Sequence, residues 1–155
     1  MPTPTQYINR IEAVNRSIKM KIEGLTHEDS MKQLPFPANC MNWNMGHIMV
    51  YREEYSGVIE GAPGADPLEF AIYGSGSEPL TDSEKAMPLD TLIERLDASA
   101  ARLKTAFQSL PAEKLNEPHQ SHAGDTLDDY LHFYVVVHEA YHLGPLEILR
   151  ELALA

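Results

Sequence analysis

The chain has a single cysteine, Cys40, so no internal disulfide can form and a fold held by covalent staples is excluded. Basic residues are scarce as well: 12 Lys and Arg stand against 23 Asp and Glu, a formal net charge of −11. A protein that grips a nucleic-acid backbone needs a cationic footprint, and docking on an anionic membrane surface needs the same. Neither nucleic acid nor membrane is therefore expected as a partner. No apolar run reaches the roughly 18 residues that a bilayer-spanning helix requires. The opening stretch MPTPTQYINRIEAVNR lacks the basic start and apolar core of a secretory signal, which together with the lone thiol points to the cytoplasm. What is present is ordinary for a globular protein: 43% hydrophobic and 23% charged residues over 155 positions, enough for one domain, residues 1–155, with its own core.

Apolar periodicity predicts four helices. From Thr5, as N-cap, to about Leu25 the residues Ile8, Ile11, Ile18, Ile22 and Leu25 keep helical spacing, with Asn15 on the buried stripe and in need of a hydrogen-bond partner. Pro35 and Pro37 stop any helix, Asn39 can cap the next one, and Gly61 closes it. This second helix is apolar over more than half its circumference, as befits a member of a closed bundle. Residues 61–87 hold four of the nine glycines and show no sustained period; the apolar knot Leu68, Phe70, Ile72 and Tyr73 predicts a long connection that packs down, either a lid or a plain crossover. Leu89, Leu92, Ile93, Leu96, Ala100, Leu103, Phe107 and Leu110 trace a third helix, ended by Pro111. A polar loop with His119 and His122 follows, and Thr126 with Asp129 forms a capping box that opens the fourth helix. Four helices without strand alternation predict an all-α four-helix bundle with a long connection between its second and third helices.

The chemistry lies in the histidines. Of the seven, His47, His138 and His142 fall on apolar helix faces, whereas His27, His119 and His122 lie in polar connections. His138 and His142 are four residues apart, which on a helix puts two imidazoles on one face with Cβ atoms about 5–6 Å apart, close enough to grip one ion. Core histidines hydrogen-bonded to their neighbours fit the same spacing. In a bundle, side chains from different helices converge on the axis, so His47 can complete a three-imidazole set that leaves a divalent ion one open position. Tyr51, Tyr134 and Tyr141 lie on or beside these faces and can orient a ligand through their hydroxyls or simply pack. Cys40, two turns before His47, is a fourth ligand or a small buried hydrophobe.

The segments Asn42-Trp43-Asn44-Met45-Gly46-His47 and His138-Glu139-Ala140-Tyr141-His142-Leu143-Gly144-Pro145-Leu146 resemble the Trp-x-x-Gly-His and His-x-x-x-His-x-Gly-x-Leu stretches of the DinB/YfiT-like family. The resemblance follows the whole chain in helix order. It implies an up-down-down-up bundle in which His47, His138 and His142 hold Zn or Ni. It further implies thiol-dependent transfer or isomerisation of a small-molecule substrate, with a low-molecular-weight thiol as cofactor, and a homodimer.

His138 to His142 also reads His-Glu-x-x-His, the zinc-protease helix in which Glu139 would be the general base. Thirteen residues follow His142, the Gly-x-x-His continuation is missing, and no strand pattern precedes the helix to line a peptide cleft, which argues against peptide hydrolysis. Glu139 lies about 100° around the helix from His138, which fits either the rim of the site, as a base or as an acceptor behind a ligand, or a surface salt bridge. Three functional readings therefore stand: a metal-dependent thiol transferase or isomerase, a metal-dependent hydrolase working through Glu139, and a non-catalytic metal-binding or dimerisation module.

Overall fold

The computed structural model describes residues 2–155. Its frame is four long helical rods: α1 (Pro4–Ile22), α3 (Met41–Glu60), α5 (Leu89–Ser109) and a composite last rod made of α6 (Leu127–Leu131), a π-helical stretch (His132–His138) and α7 (Glu139–Leu154). Short helices α2 (His27–Ser30) and α4 (Pro67–Tyr73) lie in the connections. Both α1 and α3 pack against α5 and α7, so α1 faces α3 across the diagonal of the bundle.

The first and last rods begin where a side chain satisfies free amides of the first turn. Thr3, not Thr5, caps α1: its hydroxyl accepts from the Gln6 amide, the Gln6 side chain accepts from the Thr3 amide, and Pro4 occupies the first turn, where no amide hydrogen is needed. Thr126 and Asp129 form the expected capping box before Leu127. The cap of α3 is Cys40, not Asn39, and its side chain makes no capping bond; Asn44 folds back and donates to the carbonyls of Asn39 and Cys40. Gly61, at φ 65°, ends α3 in the left-handed conformation that glycine adopts freely.

All three connections contain more structure than sequence periodicity predicted, the first of them holding α2. Asp66 caps α4 within residues 61–87, and the segment does pack down: Tyr73 is buried, its hydroxyl donating to Asn42 and accepting the Met87 amide. The polar loop before the last rod folds into a hairpin, β1 (Pro118–Ser121) against β2 (Gly124–Thr126). The last rod departs from α geometry just before Glu139, whose amide bonds to the Tyr134 carbonyl five residues back. Such π turns carry one residue more per turn and recur at functional sites. Pro145 sits inside α7 without ending it.

Asn15 finds its partner across the diagonal. Its amide group donates to Asp97 and its oxygen accepts from Arg52, which is fully buried and bonds Glu139 through two parallel contacts of 2.9 Å. No helix among the described residues is long and apolar enough to cross a membrane.

Candidate metal centre

The structure brings His47 of α3 together with His138 and His142 of the last rod. One nitrogen from each ring lies within 4.8 Å of the others. A tetrahedral zinc ion with Zn–N bonds of about 2.0–2.1 Å keeps its nitrogens about 3.3 Å apart. The Nε2 atoms of His47 and His138 already stand 3.1 Å apart, so modest side-chain movement closes the set around one ion.

The surroundings of each ring decide which nitrogen faces inward. His47 Nδ1 lies 2.6 Å from the Tyr73 carbonyl, which can only accept; Nδ1 therefore carries the hydrogen and Nε2 offers its lone pair. Gly46 makes this contact possible, since a Cβ there would overlap the Tyr73 ring. His142 Nδ1 lies 3.0 Å from Asn44 Oδ1. Because the Asn44 amide nitrogen is spent on the carbonyls of Asn39 and Cys40, its oxygen must face the ring, and His142 is likewise protonated on Nδ1. His138 Nδ1 is 3.3 Å from the Tyr55 hydroxyl, a group that both donates and accepts. This is the one ring of the three free to choose its tautomer. As the structure stands its Nε2 donates to His47; to ligate an ion through Nε2 it would instead carry its hydrogen on Nδ1, towards Tyr55.

Burial keeps all three rings uncharged near neutral pH. It lowers the pKa of His142 to about 3 and of His138 to about 4, with the neighbouring histidines adding to the effect, and it lowers that of His47 as well despite the opposing Tyr73 carbonyl. Neutral imidazole is the form that binds metal. The three rings thus fit a divalent ion in number, spacing, tautomer and protonation.

The cluster opens on a cleft of about 470 Å³. Trp43 stacks on His47 at 4.4 Å and donates its indole N–H to Ser77, so the segment Ser75–Ser77, which follows α4, forms one edge. Tyr51, Tyr134 and Tyr141 all line the cleft: Tyr51 and Tyr134 lie beside His138, and Tyr141 beside His142. Phe133 and His122 complete this aromatic side, which brings a loop histidine from the hairpin to the site while His119 turns away to pack on Tyr130. Cys40 is buried, its thiol held towards the Leu80 carbonyl and its pKa raised by burial, and it is not part of the cluster.

Glu139 requires a correction. It does not reach the rim; it points into the bundle, 1% exposed, with both oxygens taken by Arg52. The 100° offset from His138 turns it towards α3 and α1 rather than towards solvent. Sequence reasoning also passed over Asn44, Tyr55 and Arg52. Asn44 lies three residues before His47 and Tyr55 eight after it, so both spacings placed them near the same helical face.

A comparison with curated proteins returns no match. The crystal structure of a conserved protein from Enterococcus faecalis has a similar fold, with a TM-score of 0.76 at 14% sequence identity over 99% of this chain and 98% of that one. The sequence pattern that defines the DinB superfamily matches residues 11–146, nearly the whole helical frame and all three histidines of the cluster. The chain belongs to the DinB superfamily.

Proposed function

We propose that the protein is a metal-dependent enzyme that transfers a small thiol to a small electrophile. The observation that carries this reading is the centre itself: three neutral imidazoles face one point at the base of a cleft whose lining includes no carboxylate. A divalent ion held there, zinc or nickel by family resemblance, supplies the Lewis acidity that makes a thiol or a water nucleophilic at neutral pH. The chain's own groups do the rest. Tyr73, Asn44 and Tyr55 fix the three rings, the aromatic side holds the electrophile, and His122 offers an imidazole that can receive the thiol proton as the carbon–sulfur bond forms and the leaving group departs with its electron pair.

A hydrolase working through Glu139 has less support, because that carboxylate is sealed against Arg52. Thiol transfer also needs no carboxylate base. The test is thiol consumption with an activated aryl halide as electrophile, comparing zinc-loaded protein with its His138→Ala variant. Acceleration by the loaded protein alone supports the reading. Equal rates for the two favour a module that holds metal without turnover.

We also propose a homodimer through the last rod, where Val137 of the π-helical stretch and Tyr141 and Ile148 of α7 leave large apolar surfaces exposed and Gly144 leaves room for close approach. Light scattering after size exclusion should give twice the 17.4 kDa chain mass, and Ile148→Asp should return it to one.

A further inference from the structure

One chain of polar side chains joins all four rods through the inside of the bundle. Asp97 of α5 accepts from the Asn15 amide group of α1 at 2.7 Å, and the Asn15 oxygen accepts from Arg52 of α3 at 2.9 Å. Arg52 completes the chain on Glu139 of the last rod through Nε and Nη2, each 2.9 Å from a carboxylate oxygen. The side chains of this pair are 0% and 1% exposed. A buried ion pair is a poor source of stability, because desolvation cancels most of the attraction and well-packed apolar residues often do as well. What the guanidinium fork supplies, and an apolar pair lacks, is direction: two parallel bonds fix both the distance and the angle between the rods.

The pair sits where direction matters to the metal centre. Glu139 follows His138 directly, so its Cα lies about 3.8 Å from that of the ligand. Arg52 comes five residues after His47, about 140° around α3. The same two rods are therefore tied on two sides, by His47 and His138 at the cleft and by Arg52 and Glu139 in the core. The last rod cannot turn His138 away from His47 without breaking the fork. This is also the turn most in need of a tie. The π-helical stretch ends at His138, and the Glu139 amide still bonds five residues back. A return to the commoner α geometry would take one residue out of that turn and rotate the rest of the rod by about 100° relative to what precedes it, carrying His138 off the centre.

Building on the metal-dependent reading above, we infer that Arg52 and Glu139 are positioning residues for the metal centre: their pair holds the π turn in register and aims His138 at the point where His47 and His142 converge. Asn15 and Asp97 steady Arg52 from the far side. The bundle keeps a buried ion pair for this geometry and not for stability.

The test separates geometry from stability in the full chain. The double variant Arg52→Met, Glu139→Leu should melt close to the parent and nevertheless bind zinc about 10–100-fold more weakly, measured by competition with a chromogenic chelator. The metal-free crystal structure of that variant should show His138 Nε2 moved out of its 3.1 Å contact with His47, while His142 keeps its 3.0 Å contact with Asn44. Arg52→Lys keeps the charge but has no fork, and it decides the matter should the double variant not fold: with its helical signal intact it should bind zinc about tenfold more weakly. A purely structural role predicts zinc affinity that follows stability. Zinc bound as tightly as by the parent, in a double variant of parental stability or in Arg52→Lys, overturns the inference while leaving the metal centre intact. An unaltered protein that binds no zinc overturns the metal reading itself and this inference with it.

Discussion

Replacing Glu139 with Leu tests the buried network behind the histidines. The change keeps most of the side-chain volume and removes both acceptors from a guanidinium that has no exposure to solvent. Arg52 would keep only Asn15, whose oxygen accepts one of its five N–H groups at 2.9 Å. Removing one partner of a buried ion pair costs about 3–5 kcal/mol, because the remaining charge stays desolvated and unpaired. For a domain of this size each kcal/mol moves the melting temperature by about 2–4 °C, so the variant should melt roughly 6–20 °C below the parent. Thermal unfolding of chelator-treated protein, followed by far-ultraviolet circular dichroism, measures this without interference from metal. The double variant Arg52→Met, Glu139→Leu should recover nearly all of the loss, since replacing both charges with apolar groups removes the desolvation penalty. A single-variant loss below about 1 kcal/mol would refute the reasoning, for it would mean that the pair is hydrated or that the bundle relaxes around it.

Three further outcomes follow from the geometry. Asn44→Leu removes the acceptor that orients His142 and should weaken zinc binding by about 10–100-fold while leaving the helical signal in place, as competition with a chromogenic chelator would measure. Gly46→Ala puts a methyl group into the Tyr73 ring and should cost about 1–3 kcal/mol in denaturant unfolding, with the Tyr73 carbonyl displaced from His47. Metal-free protein should lose stability as pH falls below about 6.5: the unfolded histidines take up protons there, whereas His138 and His142 in the fold resist until about pH 4 and about pH 3. Urea midpoints measured from pH 8 to pH 4 should therefore decline on the acid side, and a flat profile would contradict the neutral, buried assignment of the rings.

The parts of the fold that could be read from sequence are those whose apolar pattern runs long enough to set a period. The stripes of α1, α3 and α5 place the core of the bundle, and the four-residue spacing of His138 and His142 on an apolar face, with His47 on another, marks three rings that the fold gathers at one point. What escaped has local physical reasons. Helix α4 has seven residues and the hairpin strands four and three, too few to reveal a period. The π turn leaves no trace in an apolar pattern, because one extra residue in a turn shifts the phase by less than the width of the stripe. Glu139 was misplaced because periodicity fixes an angle around the axis but not which neighbour lies at that angle; here it is Arg52 on α3. Asn44 carries no apolar signal, and its role as the acceptor for His142 exists only once α3 and α7 are packed together.

The most direct measurement is the zinc stoichiometry of tag-free, chelator-stripped protein by calorimetric titration, with melting temperatures taken alongside. The account predicts one equivalent of zinc per chain, and a melting temperature raised by about 5–10 °C at about a hundredfold excess over Kd, both lost in the His138→Ala variant. Less than about one-tenth of an equivalent bound, with unchanged melting on zinc addition, would contradict it.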